Sequence, residues 1–223
     1  MFSRKKVAMI VGEFLGTAVL TLVVLSVAKS SIGIPYFVGL AAGLTVVVLT
    51  MALGLVSGAY FNPAITFAFW TARKIKTSKM VVYVAAQLLG GAAAYLLYTY
   101  FVGQHWQNSG HYEAKILVAE AAGTFVFGFG WAAAVAQGFG NSKAAAAIGG
   151  SLALGVILAS AASAGFLNPA VALGTRYWGW GTYVLGPVLG AVIGVNLYNL
   201  FFATDRQLAA EVAKPGKTTG KKK

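Results

Sequence analysis

Residues 57–65 read SGAYFNPAI, and residues 163–171 read SAGFLNPAV. Both place a polar Asn and a helix-interrupting Pro inside stretches that are otherwise apolar, and this pairing decides the fold. Asn is a favoured N-cap, and Pro suits the first helical position, where its missing N–H costs nothing and its fixed φ helps. Asn62-Pro63-Ala64 and Asn168-Pro169-Ala170 therefore each begin a helix. These helices, near 62–72 and 168–178, run only about ten residues before Arg73 or the glycines at 174, 179 and 181, half of the roughly 20 that a bilayer crossing needs. Each is a half-helix.

The surrounding chain belongs in a membrane. Of its 223 residues 58% are apolar and 10% charged, whereas soluble domains carry about 25% charged residues. No charged residue occurs in 30–72 or in 80–112. Long spans are expected near 7–28, 35–56, 80–102, 115–137, 144–162 and 182–203. The first follows Arg4, Lys5 and Lys6 as a signal peptide would, but it continues without a small-residue cleavage site and reads as a retained span. The plan is an N-terminus at 1–6, a single membrane domain at 7–203 in two repeats (about 7–102 and 115–203), and a basic tail at 204–223.

Six crossings return both termini to one face. Of seventeen basic residues only Lys29, Lys115 and Arg176 fall on the other face, so the positive-inside rule makes the termini cytoplasmic. The net charge of +12 thus reflects topology and not nucleic-acid binding, and the tail AKPGKTTGKKK is a disordered end able to touch anionic lipid. Cysteine is absent, which excludes disulfides, thiolate metal sites and thiol nucleophiles.

The two halves carry the same parts in the same order. VGEFLGT at 11–17 returns as VAEAAGT at 118–124, an offset of 107, and the Asn-Pro-Ala triplets lie 106 apart. An odd number of spans per half makes the second half enter from the opposite face, so the repeat is inverted about an axis in the membrane plane. Non-helical backbone is tolerated at membrane depth only where protein buries it or a watery cavity receives it. Inversion brings both half-helix starts to mid-membrane, where their positive dipole ends, each roughly half an elementary charge, repel cations. Each capping Asn keeps amide N–H groups free to donate into a passage. Two such donors hold a water by its oxygen and oppose proton hopping along the file.

Paired Asn-Pro-Ala triplets in inverted halves, each opened by E-x-x-G-T, resemble the aquaporin and glycerol-facilitator family of major intrinsic proteins, over about residues 7–203. The resemblance implies an all-α membrane fold with six transmembrane helices and two re-entrant half-helices around one pore per subunit, assembled as a homotetramer in the lipid bilayer. It implies that Glu13 and Glu120 lie buried against the re-entrant loops, which suits the cost of an intramembrane carboxylate without partners. The alternative places them at a lipid-exposed edge or a subunit contact.

The family's outer constriction maps, counting without gaps from the triplets, onto Ala42, Val156, Gly165 and Val171. Water-selective members typically carry an aromatic, a His, a small residue and an Arg there. The second triplet here is followed by Val171, which matches its repeat partner Ile65, and not by Arg. Losing a guanidinium removes a fixed charge and a fork of donors, so the mouth is expected to be wider and more apolar. Arg176 lies five residues past Val171, about 140° around an ideal helix and roughly 7.5 Å along it, so it is expected in an outer vestibule or paired with a carbonyl at the half-helix C-terminus.

The remaining residues have plainer explanations. His105 and His111, in the 103–114 loop near Glu113, lack a third ligand and metal-site spacing, so no metal or cofactor is expected. Trp106, Trp178 and Trp180 fall at span ends as interfacial anchors. Gly12, Gly16, Gly90, Gly91, Gly123, Gly190 and Gly194 allow close helix approach. No histidine lies in a span and no carboxylates are closely paired, so no enzyme is expected. The function implied is a passive channel for water and small uncharged solutes such as glycerol and urea, closed to ions and protons. The alternatives are a structural or junctional protein with a closed pore, and a secondary transporter coupled through Glu13 and Glu120.

Overall fold

The computed structural model describes residues 3–31, 33–105, 112–177 and 179–203. Trp106, His111, Trp178, the side chain of Trp180 and the tail 204–223 lie outside the described residues. Nine helices are described: α1 (Arg4–Ala28), α2 (Pro35–Leu53), α3 (Pro63–Thr71), α4 (Thr77–Val102), α5 (Ala114–Ala136), α6 (Asn141–Ala159), α7 (Pro169–Gly174), α8 (Trp180–Tyr183) and α9 (Leu185–Phe201). Six segments are long and apolar enough to span a membrane: α1, α2, α4, α5, α6, and α8 with α9. The shortest spanning helices have 19 residues, close to 28 Å at about 1.5 Å per residue, which matches a hydrocarbon core of about 30 Å. The chain is an integral, multi-pass membrane protein, and its outward faces carry Leu40, Leu44, Val48, Leu89, Leu96 and Leu154, all exposed.

Counted by crossings, α1 runs from the face that holds the termini, here the terminal face, to the far face. The α2–α4 and α5–α6 connections then lie on the terminal face. α1 packs on α4, α5 packs on α9, and α2 meets α6 along the centre. Each half-helix lies on the last span of the other repeat, α3 on α9 and α7 on α4. Gly43 and Gly149 form the central contact: a Cβ on either would collide with the carbonyl oxygen of the other. Only hydrogen side chains let α2 and α6 approach this closely.

Several boundaries differ from the sequence expectation for identifiable reasons. α2 stops at Leu53, before the expected 56, because the chain turns through 54–57 to enter the loop. α6 occupies Asn141–Ala159 instead of 144–162, with the Asn141 amide donating to the Met51 carbonyl at 3.0 Å and tying its start to the end of α2. α7 stops at Gly174, four residues short of 178. There the Thr175 hydroxyl donates to the carbonyls of Val171 (2.9 Å) and Ala172 (3.1 Å), and Arg176 turns to φ 62°. α3 ends at Thr71 and is followed by the same left-handed turn, at Arg73 with φ 57°. The last span is broken between α8 and α9, since Pro187 has no N–H to continue the ladder to Tyr183.

Candidate functional site

The re-entrant loops are held by the two carboxylates. Ala59, Phe61 and Leu167 all have positive φ (57°, 48° and 53°), as does Gly165 (67°), an arrangement that costs non-glycine residues about 1–3 kcal/mol each and persists only where its surroundings enforce it. The enforcing group is a glutamate. In the first loop the N–H groups of Tyr60 and Phe61 donate to the Glu13 carboxylate at 3.0 and 2.7 Å. In the second, those of Phe166 and Leu167 donate to Glu120 at 3.1 and 2.7 Å. Alternating backbone conformations aim successive N–H groups at one anion, forming a nest. Both carboxylates are fully buried within the single chain (0% exposed), away from its outer edges.

With the loops so bent, Asn62 and Asn168 arrive face to face. Asn62 Oδ1 accepts from the N–H of Ala64 (2.8 Å) and Ile65 (3.4 Å), and Asn168 Oδ1 from those of Ala170 (3.0 Å) and Val171 (3.5 Å). Pro63 and Pro169 occupy the first helical positions. The amide nitrogens are not wholly free, contrary to the expectation from sequence. Asn62 Nδ2 donates to the Leu167 carbonyl at 2.8 Å, and Asn168 Nδ2 to the Phe61 carbonyl at 2.9 Å. One N–H of each amide thus braces the opposite loop, which leaves the second for a passing molecule, since a primary amide carries two.

Both asparagines open onto one cavity. Its wall includes Leu20, Val24, Val38, Phe127, Leu152 and Phe166, together with Ala42, Val156, Gly165 and Val171. The centre of a water-sized sphere has about 20 Å³ in which to move, enough for one or two waters. The wall is apolar apart from the asparagines and Tyr60. Its free space is small because branched side chains from four elements converge, and a Cβ on Gly165 would already touch Val156.

A family model described as "Major intrinsic protein" matches residues 2–198. The chain belongs to the major intrinsic protein family. That family is one of passive membrane channels for water and small solutes, and this chain is one of them. It is 35% identical to aquaporin NIP1-1 of Oryza sativa subsp. japonica over 237 aligned positions, which cover 96% of this chain and 81% of that protein. It is also 35% identical to nodulin-26 of Glycine max over 75% of this chain and 66% of that protein. Its fold matches the X-ray structure of the aquaglyceroporin from Plasmodium falciparum with a TM-score of 0.73 at 21% identity, over 93% of this chain and 99% of that one.

In this major intrinsic protein all four positions mapped from the resemblance, Ala42, Val156, Gly165 and Val171, meet at the one cavity. Arg176 stands apart from it, its guanidinium 4.8 Å from the Tyr95 ring centre. Three supporting residues escaped the sequence reading. Gln87 is fully buried; its amide donates to Glu13 (2.8 Å) and to the Thr66 hydroxyl (2.9 Å). As the lone amide in an uncharged span it carried a readable signal, since polar groups inside a membrane need a partner. Ser57 and Ser163 accept from the N–H two residues on, and Ser163 also donates to Glu120. Both serines open the paired stretches, so their repetition was the available clue.

Proposed function

We propose that this channel passes water, and with it glycerol, urea and similar small uncharged solutes, in single file past Asn62 and Asn168, and that it turns back ions and protons there. The observation that carries the reading is the crossed pair of amide bonds, which aims two residual N–H donors and two helix starts at one slender apolar cavity. A water accepting from both donors presents its own hydrogens outward in both directions, which interrupts a proton wire. The partial positive charge at each helix start adds a barrier to cations. Glu13 and Glu120, the ionisable groups a coupled transporter would require, are committed to holding the loops.

The far-face ring of Ala42, Val156, Gly165 and Val171 supplies shape without charge. Size admits polyols, while the chemistry offers them no cluster of donors. The basic residues at the terminal face support termini in the cytoplasm. The apolar outer faces support packing against lipid and against further copies of the chain in a homotetramer.

Stopped-flow measurement of water, glycerol and urea flux in reconstituted vesicles tests the reading. Val171→Arg should slow the two larger solutes more than water. Equal slowing of all three would remove Val171 from the narrow part of the path.

A further inference from the structure

The cavity is not centred on the asparagine pair. Toward the far face α1 lines it with Leu20 and Val24, and α6 with Leu152 and Val156. The repeat partners of these residues lie 107 or 106 positions away, at Phe127, Trp131, Val46 and Thr50. Of these, Phe127 and Val46 line the cavity, whereas Trp131 and Thr50 do not. The space therefore continues toward the far face and ends, toward the terminal face, at Tyr60 and Phe127.

Tyr60 is fixed where the space ends. Its ring stacks on Trp131 (centroids 5.5 Å apart, planes at 15°) and meets Phe69 and Tyr83 edge-on at 5.5 and 6.0 Å. Trp131 is itself wedged against Phe127 (5.4 Å) and Phe69 (6.0 Å). The Tyr60 backbone is pinned by its bond to Glu13. On the other side of the asparagines the repeat partner of Tyr60, Phe166, also lines the cavity and contacts Tyr177 (4.6 Å) and Tyr183 (5.4 Å). No tryptophan backs it, since Val24 stands where Trp131 stands in the other half and leaves the passage open. Stacked and edge-on aromatic pairs are each worth about 0.5–1.5 kcal/mol beyond burial, so a ring held by three of them resists displacement.

We propose that Tyr60, braced by Trp131, is a size filter on the terminal-face side of the asparagine pair, and that it sets the upper size limit for uncharged solutes in place of the far-face ring. The proposal rests on the channel reading above. Slender molecules such as water and glycerol pass beside the ring, and longer polyols are stopped by it.

The test is stopped-flow uptake of water, glycerol and xylitol by vesicles holding the full chain, with Tyr60→Ala, Tyr60→Phe, Trp131→Leu and Val171→Ala beside the parent. Tyr60→Ala should raise the xylitol-to-water ratio several-fold. Tyr60→Phe, which keeps the ring, should retain the parent's ratio, and Trp131→Leu should raise it by less than Tyr60→Ala. A conducting parent whose ratio is unchanged by Tyr60→Ala, or is raised more by Val171→Ala, overturns the filter alone. If Tyr60→Ala does not fold, an unchanged ratio in Trp131→Leu overturns it equally. A parent no faster than empty vesicles overturns the channel reading and the filter with it.

Discussion

The two re-entrant loops reach the same shape through different supports. In the first, Glu13 is tied by Gln87 to α4 and through Thr66 to the half-helix itself, so the loop is anchored by residues 21 to 74 positions apart. In the second, Glu120 has Ser163, two residues before Gly165 in the same loop and the counterpart of Ser57 beside Glu13, but among the described residues no amide from a neighbouring span. The repeat partner of Gln87, read from the equivalent contacts of Gly90 and Gly190, is Pro187, which has no donor to offer. What the duplication preserves is the glutamate beneath two backbone N–H groups with the loop's opening serine beside it, and what varies is the further partner. That further partner is free to vary as long as each buried donor and acceptor finds one, because an unpaired buried group costs about 1–3 kcal/mol.

The comparison can be broken at its shared part. Glu13→Gln and Glu120→Gln each replace one acceptor oxygen by a donor and leave one loop N–H unpaired. Each should destabilise the protein by about 1–3 kcal/mol, lowering the melting midpoint of the detergent-solubilised channel by similar amounts. A large loss at one glutamate with none at the other would show that the halves do not share a support. A smaller effect sharpens the difference between them. Gln87→Leu removes a donor to the Glu13 carboxylate present only in the first half and should cost about 1.5 kcal/mol, the low end for a hydrogen bond to a charged group. Hydrogen exchange should then rise at Tyr60 and Phe61 and stay unchanged at Phe166 and Leu167. Equal loosening of both loops would mean that the crossed asparagine bonds, and not Gln87, govern loop stability.

Much of this architecture was legible in the residues themselves. The six spans follow from apolar length, the half-helices from Asn-Pro at their starts, and the inversion from an odd number of crossings. The pairing of each glutamate with its own loop was expected from the resemblance together with the cost of burying an acid. Three things were not legible. The early end of α7 depends on Arg176 turning left-handed, which carries the Tyr177 N–H back to the Ala172 carbonyl. The crossed amide bonds require knowing that the carbonyls before each asparagine face the opposite loop, which the positive φ of Phe61 and Leu167 determines. The Tyr60–Trp131 stack joins residues 71 positions apart in different repeats, and no local period encodes that meeting. Sequence patterns of period 3.6 or 2 report burial within an element, whereas contacts across repeats emerge only when the helices are assembled.

Simultaneous measurement of water and proton movement tests the central claim most directly. Vesicles holding the protein and an entrapped pH dye would be given an osmotic and a pH gradient together. Water efflux should run well above that of empty vesicles, weakly dependent on temperature, with internal pH constant while the vesicles shrink. Efflux equal to that of empty vesicles, or protons entering in step with the water, would contradict it.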